Sequence, residues 1–72
     1  MFDRAHLSDL ERAFYATRKD YIEAVENTTR LLKTDGAIDL AAFQQQHADE
    51  QRAFQRYQAA RSAFLRALGA AA

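Results

Sequence analysis

The sequence predicts an all-α protein: an antiparallel helical hairpin of two long helices that assembles as a four-helix bundle in a homodimer. Three observations carry this. Turn residues concentrate in one place, around Gly36. Apolar residues recur at alternating steps of three and four on both sides of that turn, and no period-two run suggests a strand. The apolar arc of the first half spans roughly half a helical cylinder, more than one neighbouring helix covers.

Helix one is expected over about 4–34. Asp3 is the favoured N-cap, with Phe2 and Leu7 as a hydrophobic staple; Ser8 and Glu11 also fit a capping box, which would leave Ser8 an ordinary helix residue if Asp3 caps. The turn occupies 35–39. Gly36 supplies the left-handed conformation that ends a helix, and Lys33 places a cation at the helix C-terminus. Asp39 then reads as the N-cap of helix two, with Ile38 and Phe43 at staple spacing. Helix two is expected over about 40–68, stopped by Gly69, with 69–72 frayed.

Each helix shows a heptad row. In helix one it runs Leu7, Leu10, Phe14, Thr17, Tyr21, Ala24, Thr28 and Leu31, widened by Val25 and Leu32. Leu7, Phe14, Val25 and Leu32 lie at the centre of the apolar arc. In helix two the predicted row is Phe43, His47, Glu50, Phe54, Tyr57, Arg61, Phe64 and Leu68, with Ala53, Ala60 and Ala67 along one flank. The expected core is therefore Leu7, Leu10, Phe14, Tyr21, Val25, Leu32, Phe43, Phe54, Tyr57, Phe64 and Leu68. Thr28, His47, Glu50 and Arg61 form an expected buried polar layer that fixes register, or reach water from the seam edge. Arg61 is expected to pair with Glu11 while its stem covers Phe14.

Two helices alone build a poor core, since a single core below ~70–80 residues rarely supplies more than ~3–5 kcal/mol. A second copy is the simplest source of more helices. Charge suggests its orientation. Residues 35–50 carry Asp35, Asp39, Asp49 and Glu50 and no Lys or Arg; residues 51–72 carry Arg52, Arg56, Arg61 and Arg66 and no Asp or Glu. The loop end is acidic and the open end basic, so an antiparallel dimer with loops at opposite ends brings unlike ends together.

Composition removes several function classes. The 72 residues allow one small domain, residues 1–72. Cysteine is absent, so there is no disulfide framework, thiolate metal site or cysteine nucleophile. Ten Lys and Arg balance ten Asp and Glu, against a bulk electrostatic grip on DNA. No apolar run approaches the ~20 residues of a membrane span, and Met1-Phe2-Asp3-Arg4 does not open a signal peptide. The expected setting is the cytoplasm, in a bacterium.

Catalysis finds little support. Neither Ser8 nor Ser62 sits on a glycine elbow, and there is no glycine-rich phosphate loop. His47 and Glu50 stand three apart, as carboxylate and histidine do in metal-binding bundles, but such sites need further inward carboxylates, and Glu23 and Glu26 fall mostly on the outer face of helix one. A His47–Glu50 acid/base pair is conceivable, yet a filled bundle offers no concave pocket. The expectation is a non-enzyme without metal or cofactor.

The outer flank of helix one offers a contact patch. Tyr15 and Ile22 stand one heptad apart beside Arg12, Arg18 and Lys19, a mixture that suits a protein partner or a nucleic-acid backbone. The second hairpin could equally cover Tyr15 and Ile22. The hairpin topology together with His47-Ala48-Asp49-Glu50 resembles the plasmid copy-number hairpin proteins. That resemblance implies an antiparallel four-helix dimer that clamps paired RNA loops. The RNA-contacting residues of that family lie on its first helix and find no matching motif here. The leading expectation is a protein–protein interaction module: an adaptor, small chaperone or inhibitor. The alternative is an RNA- or DNA-binding regulator using the basic residues.

Overall fold

The computed structural model describes residues 4–33 and 36–71. Two helices make up the fold, α1 (Arg4–Leu32) and α2 (Leu40–Ala71), folded back on one another as a hairpin. The rod measures 58 × 15 × 14 Å, one helix pair thick.

The turn follows the local chemistry of its residues. At the end of α1 the Lys33 N–H is shared between the carbonyls of Thr29 (3.1 Å) and Arg30 (3.2 Å). Gly36 has φ +110°, a conformation that costs a side chain-bearing residue and suits glycine. Asp39 caps α2: its Oδ1 accepts from the Ala42 N–H at 3.2 Å and its carbonyl from the Phe43 N–H at 2.9 Å. Ile38, the expected staple partner of Phe43, remains 49% exposed. The Asp3 cap, the Phe2 staple, Thr34 and Asp35 lie outside the described residues.

Helix α2 does not stop at Leu68. It continues through Gly69 to Ala71. Gly69 lacks the positive φ of a terminating glycine, and the alanines that follow are the best helix formers. Nothing therefore breaks the helix there.

The α1 seam is the one its periodicity predicts. Leu7, Leu10, Phe14, Thr17, Tyr21, Ala24 and Leu31 are half-buried and Thr28 is buried. Val25 and Leu32, placed at the centre of the arc by sequence, are instead exposed. A single neighbouring helix covers only part of so wide an arc, and it settles on the side of Leu10 and Ala24.

The α2 seam keeps four of the eight predicted positions and shifts the other four by one residue. The covered row is Phe43, Gln46, Glu50, Ala53, Tyr57, Ala60, Phe64 and Ala67. Ala53 is the most deeply buried apolar residue. His47, Arg61 and Leu68 are exposed and Glu50 is only half-buried, so Thr28 alone of the expected polar layer is buried in the hairpin. The reason is steric. Phe14 and Tyr21 project from α1 into the seam, and α2 sets Ala53, Ala60 and Ala67 between its own large residues there, which leaves room for the rings. The Phe14 ring meets Tyr57 (5.8 Å between centroids) and Phe64 (5.7 Å), on either side of Ala60. The Tyr21 ring meets Phe54 (5.1 Å) and Tyr57 (5.8 Å). Near the loop, Gln46 Nε2 donates to the Ala24 carbonyl at 3.2 Å.

Candidate interaction face

The seam fixes what the remaining surface presents. A step of one residue turns a helix by ~100°, so residues that directly follow seam residues line one flank, and those that precede them line the other. In two antiparallel helices facing each other, the following flanks of both lie on the same broad side of the hairpin. On α1 that flank holds Ser8, Glu11, Tyr15, Arg18, Ile22, Val25, Thr29 and Leu32. On α2 it holds Leu40, Gln44, His47, Gln51, Phe54, Gln58, Arg61, Leu65 and Leu68.

The two sides differ sharply. Tyr15 (56%), Ile22, Val25 and Leu32 (53%) on α1 are exposed on the following side, as are Leu40 (64%), Leu65 and Leu68 on α2. No other large apolar residue among the described helical residues is as exposed. The opposite side carries only small, polar or charged residues: His6, Asp9, Ala13, Ala16, Asp20, Glu23, Asn27 and Arg30 on α1, and Ala42, Gln45, Asp49, Arg52, Arg56, Ala59, Ala63 and Arg66 on α2. Several of these are satisfied locally. Arg52 pairs with Asp49, Gln45 Nε2 donates to Asp49 Oδ1 at 3.2 Å, and Arg66 Nε donates to the Ser62 carbonyl. One side of the hairpin is finished against water; the other carries the exposed large apolar side chains, spread along α1 and gathered at the two ends of α2.

The predicted contact residues divide accordingly. Tyr15, Arg18 and Ile22 stand on the apolar face. Arg12 and Lys19 project from the outermost row of α1, and Arg12 lies 3.8 Å from Asp9 on its own helix. Arg61 and Glu11 share the apolar face but form no ion pair; Arg61 is exposed instead. His47 stacks on Phe43 with centroids 5.9 Å apart and lies 3.4 Å from Gln51 Nε2. That position places it on the face, while Glu50, one turn further on, sits in the seam. Among the described residues no three His, Asp or Glu cluster as metal ligands would. An open groove at the loop end, lined by Val25, Glu26, Thr29, Arg30 and Lys33, runs over the outer surface of α1 and meets the face only at Val25 and Thr29. No helix among the described residues is long and apolar enough to cross a membrane.

Sequence reasoning missed the sidedness. The signal for it was present in the residues that follow each seam position, but reading it requires knowing the α2 seam to within one residue. Comparisons with protein-family models, with curated proteins and with solved structures find no match to this chain.

Proposed function

We propose that the hairpin is a small protein–protein interaction module that works as an antiparallel four-helix homodimer, an adaptor, small chaperone or inhibitor rather than an enzyme. The observation that carries this reading is incomplete burial. No side chain among the described residues is fully buried, and Leu10, Phe14, Tyr21 and Phe54 all keep part of their surface in water. A protein that stops at this hairpin leaves Tyr15, Ile22, Val25, Leu32, Leu40, Leu65 and Leu68 exposed on one side, the surface signature of an association site. Burial against another helical surface supplies the core that two helices lack. The homodimer is the economical form, because it needs only this chain.

Thermal unfolding at several protein concentrations tests the reading. An associated fold gains stability by mass action, so the midpoint rises with concentration. A midpoint independent of concentration over a hundredfold range contradicts it. In a mobility-shift assay with mixed RNA and DNA at low salt, the reading expects no complex. A complex that dissolves steeply as salt rises would favour the nucleic-acid alternative.

A further inference from the structure

We infer that the apolar face receives a second copy of the chain turned end over end, with α2 lying along the partner's α2 and α1 along the partner's α1. This rests on the self-assembly reading above and adds to it the face, the neighbours and the position of the two-fold axis. Three features of the face point to this occupant.

The first is self-complementarity along α2. The row nearest the seam reads Leu40, His47, Phe54, Arg61, Leu68 at seven-residue spacing. It has the same character in both directions: apolar ends, a nitrogen base or cation next, an aromatic ring at the centre. Reversed on itself, it sets Leu40 against Leu68 of the partner subunit and Phe54 against the partner's Phe54. On α1 the outer row of the face, Ser8, Tyr15, Ile22, Thr29, behaves the same way, whereas the row nearest the seam, Glu11, Arg18, Val25, Leu32, does not. Reversal puts Tyr15 against Ile22 of the partner subunit and Ser8 against the partner's Thr29.

The second feature is that one axis serves both helices. The α2 row is centred on Phe54 and the α1 row between Arg18 and Lys19. Tyr21, less than a turn from that α1 centre, touches Phe54 across the seam with ring centroids 5.1 Å apart. The two centres therefore lie at one level of the hairpin, which a single two-fold axis requires. Two unrelated rows have no reason to share it.

The third feature is charge. An end-over-end α2 pair centred on Phe54 lays residues 39–50 opposite residues 58–69 of the partner subunit, so Asp39, Asp49 and Glu50 come level with the partner's Arg61 and the partner's Arg66; Glu50 lies in the seam and Asp49 on the far side, so the match is one of level and field rather than of direct pairs. The alternative packing, with both loops at one end, lays α2 along the partner's α1, where acids and bases alternate and offer no such match. The same axis sets the exposed Arg61 against the partner's His47 without a charge match, and it brings Arg18 near its own mate. Its exposed, flexible stem lets the two guanidinium groups diverge into solvent.

The chain has no cysteine, so an Ala37→Cys variant carries one spin label per copy, on an exposed loop. Double electron–electron resonance then reads the distance between the two loops. The inferred packing gives a distance near the 58 Å length of the rod. A distance below ~20 Å, about two helix spacings, overturns this packing and leaves a homodimer standing. A sample that sediments at the mass of one chain, with no intermolecular distance, overturns both. Substitution on each side tests the face. Ile22→Glu and Leu68→Glu should each raise the dimer dissociation constant by ~30-fold or more, as removal of central interface contacts does. Ala59→Glu on the opposite side should change it by less than ~3-fold. All three positions are exposed, so helicity by circular dichroism should be retained. The reverse sensitivity overturns the assignment of the face.

Discussion

Gln46 of α2 donates to the carbonyl oxygen of Ala24 on α1 at 3.2 Å, and the buried Thr28 hydroxyl donates to the same oxygen at 3.1 Å. Two side chains from different helices thus converge on one backbone acceptor near the loop. This polar junction fixes how far α2 slides along α1 before the aromatic layers begin. A typical hydrogen bond of this kind contributes ~1 kcal/mol net. Gln46→Ala should therefore lower stability by ~1 kcal/mol in urea denaturation. Gln46→Leu should recover most of that loss, because it leaves no buried donor unpaired and adds apolar cover. A loss larger than that of Gln46→Ala would contradict this role.

Ala53 is the most deeply buried apolar side chain of the seam. It is 8% exposed and sits where Tyr21 comes across from α1. A larger side chain there must push the helices apart. Ala53→Leu should destabilise by ~1–3 kcal/mol, the usual cost of overfilling a tight site. Ala59→Leu, six positions on and exposed, should cost under ~0.5 kcal/mol. Equal effects at the two positions, measured by denaturant midpoints, would remove Ala53 from the seam.

The two glycines should respond in opposite directions. Neither has an atom within 4 Å of the position a Cβ would take, so space does not distinguish them. Conformation does. Gly36 has φ +110°, and Gly36→Ala should destabilise by ~1 kcal/mol or more. Gly69 lies inside α2, and Gly69→Ala should stabilise by up to ~1 kcal/mol, less to the extent that the last turn frays. A stabilising Gly36→Ala, read by thermal unfolding, would show that the turn is built differently.

Asp39 satisfies the first turn of α2 through its side chain and its carbonyl together. Asp39→Ala removes the side-chain acceptor and should cost ~1 kcal/mol. Asp39→Asn keeps an acceptor of the same reach and should cost only a fraction of that. If Asn and Ala proved equally damaging, charge rather than capping would be the origin of the effect.

The helix boundaries at the turn were legible because Gly36 and Asp39 act locally. A positive φ and an N-cap need no knowledge of the rest of the fold. The α2 seam was harder for a geometric reason. Gln46 and His47, Ala53 and Phe54, Ala60 and Arg61, and Ala67 and Leu68 form two adjacent rows with the same seven-residue period. Periodicity cannot separate rows one residue apart, and hydrophobicity favours the wrong one, since Phe54 and Leu68 are more apolar than the alanines. What decides is shape. Phe14 and Tyr21 fill the space between the helices, so α2 must offer its small residues there. That one-residue difference carries His47 and Arg61 out of the interior and onto the exposed face. It also converts Leu68 and Leu40 from core and boundary residues into members of a strip that runs the length of the rod. Gly69 misled for a related reason: glycine permits a stop but does not impose one.

The central physical claim is that this hairpin has more apolar surface than two helices can cover. Sedimentation equilibrium of the purified chain at micromolar concentration tests that claim most directly. It should return twice the 8.2 kDa mass of one chain, with the weight-average mass falling on dilution along with helicity. A helical, cooperatively unfolding species at 8.2 kDa across the concentration range would contradict it.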